Sequence, residues 1–288
     1  MKYWIWGAGN TGTEYYNASI KLHNTAEIAG FIDSNPALWG RKVFKLSIIS
    51  PNEFSLTLNK DTRVKIAVMG NVDKAEIYNA LIEMGIVKNH IGFVCDDPRF
   101  EFLRQFARYI YDQGIKGNVA ECGVYRGRFA AKINRCFYDR QLYLFDTFEG
   151  FDERDITIER EIGDDHFLKG RFNQPGRFSD TSVDEVISIM PSTGNIIIKQ
   201  GRVPETFSGV NDQFCFISLD LDLYQPMLES MKFFWDKMSQ GGIILCHDYT
   251  SIWTPGVKKA IFDFENQLGR FVPKTTIGDN LSIVLIKD

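Results

Sequence analysis

The stretch Val119-Ala-Glu-Cys-Gly-Val-Tyr-Arg-Gly-Arg128, followed by Leu142-Tyr-Leu-Phe-Asp-Thr-Phe-Glu-Gly-Phe151, decides the fold. A short apolar run ends in an acidic residue, a glycine-rich turn opens a helix, and a second apolar run ends on Asp146. That order is the strand–turn–helix–strand unit of an α/β protein, whose glycines admit a ligand to the backbone and whose carboxylate takes ribose hydroxyls. Glu121, Gly123, Gly127 and Asp146 therefore mark a nucleoside cradle, with Glu121 toward the polar tail or ribose.

Working outward, strands are expected at Asn118–Glu121, Gln141–Asp146, Asn195–Gln200, Phe214–Asp220 and Ile243–His247. Helices are expected at Arg99 to about Gln113, Phe129–Cys136, Ser182–Met190, Met227–Lys237 and Gly256–Leu268. Val272–Ile277 and Leu281–Lys287, around Gly278-Asp-Asn, read as a closing β-hairpin. Strands separated by helices pair in parallel, and the hairpin adds an antiparallel pair at one edge. Phe151 to Asp180 is charged and weakly periodic, and a long irregular segment after the second strand reads as a lid.

Two later stretches carry acid–base and ligand chemistry: Phe216-Ile-Ser-Leu-Asp-Leu-Asp-Leu-Tyr224 and Gly241-Gly-Ile-Ile-Leu-Cys-His-Asp-Tyr249. Asp220 precedes His247 and Asp248 by 27 and 28 residues, one crossover unit with the glycine pair read as its turn. Such a unit brings two carboxyl strand ends to one edge, where ligands of open α/β sheets bind. Asp220, Asp222, His247 and Asp248 can therefore converge. Carboxylates suit Mg²⁺, and an imidazole shifts preference toward Mn²⁺. Asp222 reads equally as a cap of the helix beginning near Pro226 or as a residue that holds the loop. His247 reads as ligand, general base or core histidine. Gln200-Gly-Arg202 ends the third strand, where Arg202 binds an acidic group or sits in solvent.

Upstream, strand-like runs at Lys2–Trp6, Glu27–Ile32, Val64–Met69 and Ile91–Cys95 alternate with helices at Thr11–Leu22 and Val72–Met84. Gly7-Ala-Gly9-Asn-Thr-Gly12 falls between the first strand and helix, and Asp33 lies 21 residues after Gly12, where a ribose-binding carboxylate belongs. Gly7, Gly9, Gly12 and Asp33 thus form a second candidate nucleotide site, in a domain with too few strands for a complete two-lobed fold. The boundary falls at Cys95-Asp-Asp-Pro98, giving domains 1–96 and 97–288.

Composition narrows the class. The 288 residues carry a net charge of -4, which gives no global reason to expect nucleic acid. No apolar run reaches the ~20 residues of a membrane span. Five dispersed cysteines lack zinc spacing, and Cys122, Cys215 and Cys246 fall in or beside apolar strands as buried thiols. A cytoplasmic protein is expected, since the sequence opens on a strand rather than a signal segment.

Together these residues resemble the macrocin O-methyltransferase family, enzymes that methylate sugar hydroxyls of natural products. The resemblance rests on Glu121–Gly127, Asp146–Phe151, Asp180–Asp184, Gly201–Phe207, Asp220–Tyr224 and Gly241 through Tyr249, in the family's order over roughly residues 100–288. It implies a Rossmann-like seven-stranded methyltransferase sheet with S-adenosylmethionine near Glu121, Gly123, Tyr125, Gly127, Asp146, Thr147, Ser182 and Gly201; Ser182, at the start of the helix after the lid, reads equally as an N-cap neighbour. It also implies a divalent metal, Mg²⁺ or Mn²⁺, on Asp220 and Asp248. The family has Asp-Asp-Tyr where this chain has His247-Asp248-Tyr249, which bears on the choice of metal. Residues 1–95 are similar to the small nucleotide-binding-like domain ahead of bacterial sugar acyltransferases, through Trp6–Gly12 and Gly30–Gly40. That implies a nucleotide or sugar-nucleotide site, or a docking or dimerisation role; a homodimer is expected.

The expected activity is methylation of a sugar hydroxyl, nucleotide-linked, polysaccharide or glycosidic, with Asp220 or His247 taking the proton. Two rivals stand beside it. An NAD-dependent sugar-nucleotide oxidoreductase or epimerase would use the first domain, yet residues 1–95 hold no Tyr-x-x-x-Lys dyad. A non-catalytic scaffold would have no need of Glu121, Asp146, Asp220 and Asp248 together.

Overall fold

Short apolar runs bounded by glycine, asparagine and aspartate pair into two sheets, one in each of two units, Met1–Asp97 and Pro98–Asp288. The structure, a computed structural model, describes residues 2–21, 28–43, 45–68, 71–94, 98–162, 176–251, 253–279 and 281–288. The expected strand or helix ends at Leu22, Glu27, Met69 and Cys95, and residues 163–175 of the expected lid, lie outside the described residues.

In the first unit, β1 (Tyr3–Trp6), β2 (Ile28–Ile32), β3 (Lys42–Val43), β4 (Leu46–Ile49), β5 (Val64–Ile66) and β6 (Ile91–Phe93) form a sheet of order β3-β4-β2-β1-β5-β6. All pairs are parallel except β3–β4. The sheet is wider than the four strands read from the sequence. β3 is two residues long and gives no period-2 pattern, and β4 is held by pairing with the open edge of β2. Helices Asn10–Lys21 and Asn71–Glu83 follow β1 and β5.

The second unit carries β7 (Asn118–Cys122), β8 (Leu142–Asp146), β9 (Ile196–Gln200), β10 (Phe214–Leu219), β11 (Met238–Cys246), β12 (Lys274–Thr276) and β13 (Ile283–Ile286). Their order is β12-β13-β11-β10-β7-β8-β9, parallel except where β13 meets β11 and β12. The chain runs outward from β7 to β9, then restarts on the other side of β7 with β10. The reversal leaves a crevice at the carboxyl ends of β7 and β10, where open α/β sheets bind ligands. Phe145, Phe207, Phe214 and Phe234 pack edge-to-face beneath it, in a core that also buries Cys122 and Cys246 as free thiols.

Two expectations are corrected here. Gly241-Gly242 is not a turn but part of β11. The register jumps from Phe214↔Met238 to Phe216↔Ile243, so the pair forms a bulge in which Gly242 lies against the Cys215 carbonyl. The segment after β8 is not irregular throughout, since Glu153–Ile162 is a helix.

Candidate active site

The backbone ladder runs one residue past the end of each central strand and places the site residues on one rim. Asp220 N–H donates to Cys122 O at 2.9 Å, His247 N–H to Leu219 O at 2.9 Å, Gly123 N–H to Phe145 O at 2.9 Å and Gly201 N–H to Asp146 O at 2.8 Å. Gly123, Asp146, Gly201, Asp220 and His247 are thus neighbours by register, although 124 residues separate the first from the last. A cavity of about 730 Å³ opens on this rim. Glu121, Gly123, Tyr125, Asp146, Thr147, Gly201, Asp220, Asp222, His247 and Asp248 all line it.

Two expected residues do not line it. Gly127 is the N-cap of helix Arg128–Cys136 at φ +69°, and a Cβ there would meet Val186 at 2.9 Å. Ser182 caps helix Val183–Ser188 by accepting from Glu185 N–H at 3.2 Å. The helix that Ser182 caps thus backs the turn at Gly127.

The glycine turn is clasped by the aspartate of the next strand. Asp146 Oδ2 accepts from the N–H groups of Val124 (2.6 Å) and Tyr125 (2.8 Å), and Oδ1 accepts from Phe148 N–H at 2.7 Å. A carboxylate offers about four acceptor positions, so most of this one is spent holding the loop. Thr147 donates to Gly150 O at 2.6 Å and tightens the following turn. Tyr125, at φ +49°, reaches outward and donates to Asp180 at 2.7 Å, while Arg126 pairs with the same carboxylate.

The acidic cluster is held by two cations. His247 Nδ1 lies 2.7 Å from Asp248 Oδ2 and 3.2 Å from Asp220 Oδ1. Arg99 Nη1 donates to Asp220 Oδ2 at 2.7 Å, and Nη2 donates to Ser218 Oγ at 2.8 Å. Burial works to raise Asp220, but Arg99 and His247 outweigh it and keep the carboxyl well below the usual range. Burial likewise opposes charge on His247, yet its hydrogen bonds to Asp220 and Asp248 push it up to about 10. Asp222, at φ +60°, is raised well above its ordinary value by burial and by its acidic neighbours. Asp222 does not cap the following helix, contrary to one expectation: that helix begins at Tyr224, whose N–H is taken by Glu159 at 2.6 Å.

The cover helix Glu153–Ile162 is fixed by ion pairs rather than by a broad apolar face. Arg202 neither sits in solvent nor is free for a ligand. It grips the buried Asp155 through two hydrogen bonds of 2.9 and 2.6 Å and reaches Glu205 at 2.9 Å. Glu159, fully buried, accepts from the N–H groups of Tyr224 and Gly256 (3.0 Å) and so closes two helix N-termini with one carboxylate. Gly256 is required there, because a Cβ would stand 2.3 Å from the Glu159 oxygens.

Sequence reasoning missed Arg99, Ser218, Asp155 and Glu159. Arg99 and Glu159 sit on helices with no motif of their own, and only the strand register shows what they meet. In the first unit, Asp33 Oδ2 accepts from Ala8 N–H at 2.7 Å and Oδ1 from Asn35 N–H at 2.8 Å. Gly7 and Gly12 are closely packed, with Cβ positions 2.6 Å from Ala67 O and 1.9 Å from Gly7 O, whereas Gly9 faces open space.

A seven-stranded sheet in this order, with a clasped glycine turn and an acidic cluster on one rim, defines a protein of the methyltransferase fold. The sequence profile of the macrocin-O-methyltransferase (TylF) family matches residues 68–282, and the chain belongs to that family. It is an O-methyltransferase. The match begins earlier than the motif resemblance suggested, within the first unit. The O-methyltransferase NovP is similar in structure, with a TM-score of 0.55 and 20% identity over 66% of this chain and 80% of that one. The calicheamicin methyltransferase CalS11 gives 0.53 and 18% over 75% and 86%. Among curated protein sequences, none matches. No helix among the described residues is long and apolar enough to cross a membrane.

Proposed function

We propose that the chain transfers the methyl group of S-adenosylmethionine to a sugar hydroxyl, on a nucleotide-linked, polysaccharide or glycosidic acceptor, with a divalent cation at Asp220, His247 and Asp248. The observation that carries this reading is the shared rim: the glycine turn and the acidic cluster line one cavity. S-adenosylmethionine supplies an electrophilic methyl group. The turn at Gly123–Tyr125, Glu121 and the remaining acceptor position of Asp146 are the groups that would hold it.

The residues fit a cation. One ligand atom from each of Asp220, His247 and Asp248 lies within 4.8 Å of the others, and two carboxylates with an imidazole suit Mn²⁺ or Mg²⁺. A cation bound there would supply charge stabilisation to an acceptor oxygen. Asp220, tied on both oxygens to Arg99 and His247, is a poor proton acceptor; His247, an imidazolium until a dication displaces its proton, can take the hydroxyl proton only where it does not itself ligate the cation. General-base help of this kind contributes about 10²–10⁴-fold.

Calorimetry with S-adenosylhomocysteine and with NADH is expected to show binding of the first alone. In a methyl-transfer assay over a panel of sugar acceptors, Asp248→Asn is expected to lower turnover about 100-fold or more, with S-adenosylhomocysteine affinity in metal-free buffer retained. Full turnover in that variant would remove the cation from the proposal.

A further inference from the structure

We infer that Arg99 couples the methyl donor to the cation: it receives the carboxylate at the donor's amino-acid end and thereby loosens its hold on Asp220. The inference rests on the proposed function and extends it to a residue outside the family's motifs.

Arg99 stands between two carboxyl groups at adjacent strand ends. Nη1 donates to Asp220 at 2.7 Å, while Nη2, bonded to Ser218, lies 4.0 Å from Glu121 Oε1. The Phe129 ring supports the guanidinium at 3.9 Å. Two buried polar atoms at this spot, Arg99 Nε and Glu121 Oε2, have no hydrogen-bond partner among the described residues. Glu121 is only 1% exposed, yet it lines the cavity beside Arg99. Unmet buried donors and acceptors are costly and call for a ligand or a specific role. An α-amino acid answers both, with a carboxylate for the guanidinium and an ammonium for the glutamate.

The same guanidinium opposes a cation. Sitting 2.7 Å from Asp220 Oδ2, its charge repels any dication that would use that carboxylate. A donor carboxylate shares and offsets this charge, so Asp220 becomes more available to a cation. By linkage each ligand then tightens the other by the same factor. Arg99 is in this sense a positioning residue, acting on the cation through Asp220.

The test titrates Mn²⁺ into the full chain by calorimetry in three states: alone, saturated with S-adenosylhomocysteine, and saturated with 5′-methylthioadenosine, which keeps the nucleoside and thioether but lacks the amino-acid end. S-adenosylhomocysteine is expected to tighten Mn²⁺ at least about fivefold, and methylthioadenosine to leave it unchanged. Arg99→Met is expected to erase the difference between the two nucleosides. Equal effects of both nucleosides on the wild-type chain, or a difference that survives in Arg99→Met, overturn the inference. If that variant does not fold, the wild-type comparison decides alone. Failure of the underlying function looks different: neither nucleoside binding removes the donor, and nucleosides binding without Mn²⁺ removes the cation and this coupling with it.

Discussion

Gly123 illustrates how one residue can have a structural reason for its identity beside the functional one. Its place after an apolar strand suggests close approach of a ligand. In the fold its φ is +83° and a Cβ would stand 2.0 Å from the Asp220 carbonyl oxygen, so the neighbouring strand already demands glycine. Gly123→Ala is expected to destabilise the chain by about 2–5 kcal/mol, combining left-handed backbone cost with overpacking, as read by urea unfolding. Wild-type stability in that variant would contradict the strand-end contact. His247 gives a second test at this scale. Its imidazolium is favoured in the fold, with a value of about 10 against about 6.5 when unfolded. Its contribution is therefore complete below the unfolded value and is lost as pH rises toward the folded one. Metal-free protein should lose stability across that window, and His247→Asn should flatten the decline. A wild-type curve with no slope there would argue against the Asp220–His247–Asp248 arrangement.

At the scale of elements, legibility followed the kind of force holding each piece. The central strands of the second unit, Asn118–Cys122, Leu142–Asp146 and Phe214–Leu219, are mostly apolar runs buried on both faces, and polar residues stand at or next to their ends, so both show in the sequence. Helix Glu153–Ile162 did not show, because six of its ten residues are charged and its anchors lie far along the chain. Arg202→Met leaves Asp155, only 4% exposed, without its partner. Breaking such a pair costs about 3–5 kcal/mol, tempered here because Arg202 keeps some solvent contact. The variant should show early proteolysis within residues 153–162, and the double change Asp155→Leu with Arg202→Met should recover much of the loss. Equal protease resistance of wild type and Arg202→Met would show that apolar packing alone holds the helix. The β11 bulge escaped for another reason: adjacent glycines mark a turn or a bulge equally well, and only pairing with β10 distinguishes them.

Across the whole molecule the same construction occurs twice without sequence repetition. In each unit an aspartate at or just after the second strand clasps the turn after the first, Asp33 on Ala8 and Asp146 on Val124 and Tyr125. In each, the first glycine of the turn lies against a carbonyl just beyond the neighbouring strand, Ala67 or Asp220. The sequence displays these glycines and aspartates in both halves but not their mutual contacts, which is why ligand binding could be read into each of them. The acidic and imidazole cluster belongs to the second unit alone, which also has its own buried core. Residues 98–288 produced alone are therefore expected to fold and to bind S-adenosylhomocysteine within about tenfold of the full chain; a larger loss, roughly 1.4 kcal/mol or more, would mean the first unit supports the donor site.

The double cap made by Glu159 has a kinetic consequence. Because one carboxylate secures the amides of both Tyr224 and Gly256, departure of Glu159 exposes the two together. Their hydrogen–deuterium exchange should proceed at a shared rate, set by departure of the 153–162 segment. Since Tyr224 follows Asp222 by two positions, that rate also reports how often the acidic loop is released from the 153–162 segment.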